Sequence, residues 1–362
     1  MVYETRYGQA DRLPSLLTKS KVEGGSLQIK RGILSAGPLA PGPLPTYGAL
    51  ALEIFEGHRA LFRPLASPAI TIGNFDGVHR GHQALLRATR NAADRLEGDA
   101  VVMTFEPHPA TFLAPDKVPP RLSSAERKQE LLGAFGADVV LAENFDEDFA
   151  KLSADDFTRG VLHTILQAKH VVVGHDFGYG TNREGTVESL RVAGQELGFD
   201  VEVIEPVEIA GMRASSSAVR NALIAGDLPQ AEALLGRPYD VDGCVVRGAG
   251  RGREFGIPTA NVDCQGVLLP KPGIYATTAQ ILGENESYLA ATSLGTNPTF
   301  EQGGALTLEA HLLDFDRDLY GQRLRVSFLG RLRDEKRFDD VDSLLLAIQD
   351  DINETRKIGT RL

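Results

Sequence analysis

The chain is poor in the features that would tie it to a membrane, an oxidising compartment or a nucleic acid. Its 362 residues include two cysteines, Cys244 and Cys264, which are too few and too far apart for a CxxC metal or redox motif. No run of about 18 uncharged apolar residues occurs, so no membrane partner is expected. No long Lys/Arg run occurs either, and the formal net charge is −11, which argues against a nucleic-acid partner. We therefore expect a soluble cytoplasmic protein; an oligomer is compatible with the sequence, which does not specify one.

The length and composition are those of a globular protein with more than one domain. Apolar residues make up 42% of the chain and charged residues 24%, and 362 residues exceed the size at which one core keeps growing. Residues 1–48 stand apart, because the stretch 37–48 is too dense in Pro and Gly for a regular element. We interpret this extension as disordered or atypical; a transit peptide and a wrongly assigned start codon are the alternatives.

Residues 49–230 alternate short apolar strands with amphipathic helices. Strands are predicted at 69–72, 101–105, 138–141, 170–173 and 201–204. Runs of β-branched residues between helices predict a doubly wound parallel sheet, covered on both faces, in an α/β nucleotide-type domain. The first helix has the predicted inward stripe Leu85, Thr89, Ala92, Ala93 and Leu96. A later helix is capped by Ser153 and has the predicted inward residues Phe157, Val161, Leu162 and Ile165.

The pattern changes in residues 231–362, where Gly and Pro recur between short strands of period two. These strands are predicted at 241–246, 273–279, 289–293, 306–313 and 323–328, which is typical of an antiparallel β-barrel. A helix at 231–235 joins the two domains. The chain closes with a helix whose apolar residues at helical spacing are Val341, Leu344, Leu345, Ile348 and Ile352.

The segment GNFDGVHRGH (73–82) lies between a strand and a helix, where doubly wound sheets bind ligands. Gly73, which precedes Asn74, and Gly81 let the backbone approach a phosphate closely. His79 and His82, three residues apart at a helix start, can converge on one group. They can then donate hydrogen bonds to phosphate oxygens whose charge grows in the transition state. Taken alone, a glycine-rich turn with two solvated histidines is the alternative.

A second segment, RASSSAVR (213–220), follows the last strand of the same sheet and opens a helix. The hydroxyl groups of Ser216 and Ser217, with Arg220 one turn into the helix, form a plausible phosphate cradle. Plain capping by serine beside a solvated arginine is the alternative. Together the two segments indicate a nucleotidyltransferase that joins an adenylyl group to a phosphate.

The barrel domain has its own phosphate-binding pattern. Gly248, Gly250 and Gly256 belong to a glycine-rich loop with interleaved arginines, which can wrap a triphosphate. Thr259 and Asn261 offer neutral oxygens suited to Mg²⁺. Farther on, Glu309 and His311 share one face of a predicted strand, and a carboxylate facing the barrel mouth can accept the proton of an attacking alcohol. A flexible loop and an exposed glutamate on an amphipathic strand are the alternatives from spacing alone.

In this order, the segments resemble the bacterial bifunctional riboflavin kinase/FAD synthetase family. The first module carries GNFDGVHRGHQ, FEPHP (105–109), VVVGHDFGYG (171–180) and SSSAVR; the second carries GIPTAN, GIYA, LGTNPTF and EAHLLDFDRDLYG. The family usually ends its first module with SSTxVR, and Ser217 keeps a hydroxyl group where threonine is usual. Ala214 stands where an isoleucine is common. The resemblance covers about residues 50–358.

The resemblance implies riboflavin, FMN and ATP as substrates, with Mg²⁺ as cofactor and no tightly bound metal centre. It implies that His79 and His82 stabilise the α-phosphate and that Glu309 is the general base toward the ribityl 5′-hydroxyl. The binding residues that it implies are Ser216, Ser217 and Arg220 for the outer phosphates, Asn74, His108 and Asp176 for the ATP and FMN pocket, and Thr259 and Asn261 for Mg²⁺–ATP. For His108, between two prolines, a merely rigid turn is the alternative.

The expected chemistry has two independent steps. Riboflavin and ATP give FMN and ADP in the barrel; FMN and ATP give FAD and pyrophosphate in the α/β domain, by direct attack without a protein nucleophile. An enzyme with one active module is a rival hypothesis, and a flavin-binding regulator that has lost catalysis is another. The regulator would bind flavin without releasing ADP or pyrophosphate. The presence of the motif residues in both modules favours the bifunctional enzyme.

Overall fold

The computed structural model describes residues 52–248, 256–296 and 306–360. The predicted extension 1–48 lies outside the described residues. The described chain begins with a parallel α/β sheet and ends with a closed antiparallel barrel and a helix. Both predicted architectures are thereby confirmed. No helix in the described ranges combines the length and apolar character needed to cross a bilayer.

The first domain is built on a six-stranded sheet in the order β1-β4-β3-β2-β5-β8, with every neighbouring pair parallel. Its strands are β1 (Glu53–Phe55), β2 (Ala69–Ile72), β3 (Ala100–Phe105), β4 (Val139–Glu143), β5 (His170–Gly174) and β8 (Asp200–Ile204). Two short antiparallel pairs are added: β6 (Gly178–Tyr179) with β7 (Gly185–Thr186), and β9 (Glu208–Ile209) with β10 (Met212–Arg213). All four residues of β2 are buried, as expected for a strand covered on both faces.

Helices cover the sheet and connect its strands. They are α1 (Arg80–Leu96), α2 (Ala110–Leu113), α3 (Ala125–Ala134), α4 (Glu147–Ala150), α5 (Val187–Leu197), α6 (Ser216–Ala225) and α7 (Leu228–Leu235), with a π-helix at Asp156–Ile165 and short 3₁₀ turns at His58–Ala60, Pro115–Lys117 and Thr181–Arg183. The predicted inward stripe of α1 was wrong at Leu96, which is exposed where the helix ends. Leu85 is half-buried and packs against the cluster that contains the buried Leu86, a residue that the prediction left out.

The π-helix explains a further error. The Ser153 hydroxyl accepts a hydrogen bond from the Asp156 amide at 3.0 Å, as the predicted cap requires. Phe157, Val161 and Leu162 are buried as predicted. Ile165, however, is 45% exposed, because the wider π turn rotates the last residues away from the face that α-helical spacing predicts.

The barrel closes in the order β11-β12-β15-β14-β13-β16, and all its pairs are antiparallel. Its strands are β11 (Tyr239–Val246), β12 (Ala260–Asp263), β13 (Gly273–Ile281), β14 (Ser287–Thr296), β15 (Leu306–Leu312) and β16 (Arg323–Arg333). Burial alternates along β15: Leu308, Ala310 and Leu312 are buried, whereas Glu309 and His311 are half-buried. Alternate residues therefore fill the barrel core and cover its outer face.

The last helix, α8 (Val341–Gly359), contacts β13, β14 and β16. Asp340 caps it by accepting a hydrogen bond from the Ser343 amide at 2.7 Å. The predicted apolar residues Leu344, Leu345, Ile348 and Ile352 are half-buried, but Val341, at the first position of the helix, is exposed.

The two domains share a packed junction. Val219 and Leu223 of α6 belong to the same buried cluster as Leu234 of α7 and the barrel residues Tyr239 and Phe328. Helix α6 thus packs on the barrel core although it lies before residue 230. The boundary at residue 230 stays a prediction.

Candidate active sites

A cavity of about 490 Å³ opens at the carboxyl ends of β2, β5 and β8. Six of the residues predicted from sequence line it: Gly73, Asn74, His79, Gly81, His82 and Asp176. Its apolar lining includes six aromatic residues: Phe105, Phe145, Phe149, Phe157, Phe177 and Tyr179. Aromatic side chains suit flat rings, and a mainly apolar lining with a few polar groups is typical of ligand pockets.

His79 and His82 lie against each other at the start of α1. Their rings stack with centroids 3.7 Å apart, and the Nδ1 atom of His79 caps the helix by accepting a hydrogen bond from the His82 amide at 3.4 Å. Gly81 keeps this turn open, because a Cβ there would come within 3.0 Å of both the His79 ring and the Ala214 carbonyl oxygen. The Nδ1 atom of His82 is buried and has no hydrogen-bond partner among the described residues.

Both histidines are neutral near pH 7. Burial, followed by the charges of Arg213, Arg220 and Arg237, lowers the pKa of His79 to about 3. Burial also places the pKa of His82 well below its ordinary value, with further contributions from His79 and Lys128. Each imidazole therefore offers one N–H donor rather than a positive charge. The positive charge for a phosphate must come from the arginines.

The start of α6 meets the cavity at Ser215, which caps the helix by accepting a hydrogen bond from the Ala218 amide at 3.2 Å. Ser216, Ser217 and Arg220 are not among the cavity residues. The Ser216 hydroxyl donates to the Asp76 carbonyl oxygen at 2.9 Å, and Ser217 is exposed.

Arg220 is buried and held by two acceptors. Its Nη2 donates to the Asp76 carboxylate at 2.5 Å and its Nε to the Pro120 carbonyl oxygen at 2.7 Å. The same carboxylate accepts the Leu122 amide at 2.9 Å. Asp76 thus joins the first motif to the second, although 144 residues separate the partners. No local sequence signal indicates this pair.

Two predicted flavin-binding residues lie at different depths. Asp176 lines the cavity and accepts a hydrogen bond from Arg213 at 2.7 Å. His108 lies behind Asn74, with 3.3 Å between its Nε2 and the Asn74 Nδ2, and burial lowers its pKa. Arg213 lines the cavity and was not predicted as a site residue. Its place two residues before the serine run was the available signal.

The predicted barrel residues lie around Glu309, which belongs to the less buried set of alternating residues on β15. Glu309 on β15 pairs with Asn261 on one side and Ser293 on the other. Gly248 brings the end of β11 against Asn261, since a Cβ there would lie 2.2 Å from its Nδ2. The predicted residues Glu309, Asn261 and Gly248 are therefore brought together.

Sequence reasoning missed Glu335, which follows β16. A Cβ on Gly295 would lie 2.0 Å from its Oε1 atom. Burial and the nearby charge of Glu309 raise the pKa of Glu335, whereas a hydrogen bond with Ser293 lowers it. A second carboxylate thus stands beside Glu309. Only the order of the strands brings the two together.

Three predicted residues of the barrel site remain. Thr259 is half-buried directly before β12. Gly256 takes a left-handed φ of 72° that glycine adopts without strain. Gly250 lies outside the described residues. Thr259 and Asn261 contribute neutral oxygens next to the Glu309 carboxylate, a donor set that fits Mg²⁺ bound mainly through water and phosphate.

Comparison with known proteins divides the chain in the same way. A model of a family described as FAD synthetase matches residues 63–218, and one described as riboflavin kinase matches residues 235–359. The chain is 42% identical over 289 residues to a bifunctional riboflavin kinase/FMN adenylyltransferase of Pseudomonas fluorescens, which covers 80% of this chain and 92% of the relative. It is 41% identical over 302 residues to a protein of the same description from Escherichia coli, with coverages of 83% and 96%.

One solved structure is similar over nearly its whole length. It comes from Streptococcus pneumoniae, is described as a macrolide-efflux protein, and has a TM-score of 0.75 at 31% identity. The match covers 85% of this chain and 99% of that one. Its description names efflux, whereas both family models and both relatives name enzymes of flavin metabolism.

Proposed function

Because the chain belongs to the family of bifunctional riboflavin kinase/FMN adenylyltransferases, we propose that its two sites act in succession on one flavin. The protein is an enzyme that phosphorylates riboflavin to FMN and adenylylates FMN to FAD. ATP is the co-substrate of both steps. The observation that carries the residue assignment is that each domain holds one group of predicted residues: His79 and His82 at the cavity, Glu309 and Asn261 on the barrel.

In the first domain, the FMN phosphate attacks the α-phosphorus of ATP and pyrophosphate leaves. His79 and His82 donate hydrogen bonds to the α-phosphate oxygens as their charge grows. Arg213 contributes positive charge at the cavity wall. Gly73, Asn74 and Gly81 form the backbone cradle, and the aromatic wall with Asp176 and His108 receives the flavin. This is supported by the Nδ1 atom of His82, which has no hydrogen-bond partner among the described residues. A ligand that binds there would break no existing hydrogen bond.

The outer phosphates of ATP are assigned to Ser216, Ser217 and Arg220 at the start of α6. Arg220 would exchange the Asp76 carboxylate for a phosphate oxygen, and Ser216 would release the Asp76 carbonyl oxygen. Both exchanges replace one charge-assisted or polar contact by another. The N-terminus of α6, whose cap Ser215 already lines the cavity, favours the anion.

In the barrel, Glu309 accepts the proton of the ribityl 5′-hydroxyl while that oxygen attacks the γ-phosphorus of ATP, and ADP leaves. Gly248, Gly250 and Gly256 bring backbone N–H groups to the phosphates. Thr259 and Asn261 hold Mg²⁺, which neutralises phosphate charge when bound. We further propose cytoplasmic location and domain limits at 1–48, 49–230 and 231–362.

The test follows flavin products over time in purified protein with riboflavin, ATP and Mg²⁺. The wild-type protein should form FMN and then FAD. His82→Ala should accumulate FMN, with adenylylation reduced about 10²- to 10³-fold. Glu309→Gln should lose phosphorylation by about 10²- to 10⁴-fold yet convert added FMN to FAD.

The matched control is His163→Ala, which removes an exposed histidine of the π-helix and should leave both rates unchanged. Loss of both activities in either site variant would contradict two independent sites. Wild-type protein that binds flavin tightly without forming FMN, FAD, ADP or pyrophosphate would favour the regulator instead.

A further inference from the structure

Arg237 is a buried cation at the junction of the two domains that none of the chemistry above uses. It follows α7 and precedes β11, and it is 8% exposed. It does not line the cavity. Burial lowers its pKa to about 10, so it remains charged near pH 7. A buried charge is costly unless it has partners, which raises the question of what Arg237 holds.

Among the described residues, its one side-chain hydrogen bond reaches the first domain. Nη2 donates to the carbonyl oxygen of Gly77 at 3.1 Å, inside the segment that carries the two histidines. Nε lies 3.8 Å from the Asp240 carboxylate. That carboxylate is already engaged by both Nε and Nη2 of Arg127, at 2.8 and 2.7 Å. Within the described ranges, neither Nε nor Nη1 of Arg237 has a hydrogen-bond partner.

The chain just before Arg237 accepts hydrogen bonds from the first turn of α1 at two further points. Gln83 donates through Nε2 to the Leu235 carbonyl oxygen at 2.6 Å and to the Val78 carbonyl oxygen at 2.9 Å. Arg80 donates through Nε to the Ala233 carbonyl oxygen at 3.0 Å. These contacts hold in place the turn that presents His79 and His82 to the cavity.

We propose that Arg237 is a positioning residue for FMN adenylylation, which acts by fixing the Gly77–Gln83 turn from outside the cavity. The inference rests on the proposed roles of His79 and His82. A residue at the start of the riboflavin kinase module then governs the rate of the other module. The two reactions are chemically separate, but adenylylation then depends on a residue of the riboflavin kinase module.

Arg237→Met tests this, because methionine keeps an apolar stem and removes the donors and the charge. The kcat for FAD formation from FMN should fall between about tenfold and a hundredfold, as expected when a catalytic group is misplaced by about 1 Å. KM for FMN and ATP should change little, and riboflavin phosphorylation in the same sample should stay within about twofold of wild type. Arg237→Lys, which keeps the charge and one donor, should restore part of the rate.

A readout that a merely structural role would not move is the titration of His79, followed by NMR of labelled histidine. Removal of the positive charge should raise the pKa of His79 in Arg237→Met but not in Arg237→Lys. The matched control is Arg325→Met. Arg325 also joins the domains, through Glu130 at 2.6 Å, and it binds Asp242 of the barrel at 2.7 Å, but its hydrogen bonds do not reach the histidine turn. Its adenylylation rate should stay near that of wild type.

Unchanged adenylylation in Arg237→Met, or equal losses in Arg237→Met and Arg325→Met, would overturn the inference. A parallel loss of both activities in Arg237→Met with a lowered melting temperature would also overturn it, because Arg237 would then support only the fold. If His82→Ala loses adenylylation while Arg237→Met keeps it, the present inference alone fails. If His82→Ala keeps adenylylation, the assignment of the histidines fails first.

Discussion

Gly248→Ala should switch off one activity and leave the other intact. A Cβ at this position would lie 2.2 Å from Nδ2, 2.5 Å from Cγ and 2.6 Å from Oδ1 of Asn261, whereas ordinary contact begins at 3.4 Å. The Asn261 amide must therefore move by about 3.4 − 2.2 = 1.2 Å. Asn261 lies directly across from Glu309. A displacement of this size at a reacting centre costs on the order of a hundredfold in rate.

The assay measures riboflavin phosphorylation and FMN adenylylation on the same purified sample. We expect phosphorylation to fall about a hundredfold and adenylylation to stay within about twofold of wild type. The melting temperature should change little, because the obstacle is the end of a side chain rather than backbone. Gly160→Ala is the control, since a Cβ there meets nothing within 4 Å. Phosphorylation at the wild-type rate would refute the reasoning, as would the loss of both activities.

Three further predictions concern charged groups. Glu335→Gln should slow phosphorylation about tenfold and leave adenylylation unchanged, because the carboxylate that orders Ser293 beside Glu309 is lost. Phosphorylation at the wild-type rate in this variant would contradict the prediction. Asp76→Ala should lower the free energy of unfolding in urea by about 3 to 5 kcal/mol, because it leaves the buried Arg220 without its carboxylate; a loss under 1 kcal/mol would show that the pair is not needed. For His79, the pKa lies near 3 in the folded protein and near 6.5 when unfolded, so the unfolded chain alone takes up this proton as pH falls below about 6.5. This group should cost about 2 kcal/mol of stability between pH 7.5 and pH 5, and His79→Gln should remove that part of the pH dependence in unfolding titrations.

Periodicity predicted most of the fold because burial in these domains follows the local pattern. Strands such as β2 were found at the predicted residues. β12 was missed because the GIPTAN segment looked like a loop; its four residues are recognisable as a strand only when β11 and β15 are beside it. In α1 the predicted stripe included the half-buried Leu85 but missed the buried Leu86 beside it, since one residue in a helix changes the direction by about 100°.

The candidate sites show a similar limit. The motifs identified His79, His82 and Asp176 as site residues, and all three line one cavity. It could not show that Arg220 pairs with Asp76, because that contact depends on the tertiary fold. Glu335 likewise comes beside Glu309 only through the closure of the barrel.

The alternation along β15 has a consequence for how this enzyme can change. Leu308, Ala310 and Leu312 fill the interior, while Glu309 and His311 face outward. Substitutions at outward positions alter the surface that we propose meets the substrates and leave the packing of the interior untouched. A substitution at an outward position therefore costs less stability than one at Leu308, Ala310 or Leu312, where a cavity or overpacking would result. The interior residues of the barrel thus determine its stability, and the outward residues of β15 can vary separately from them.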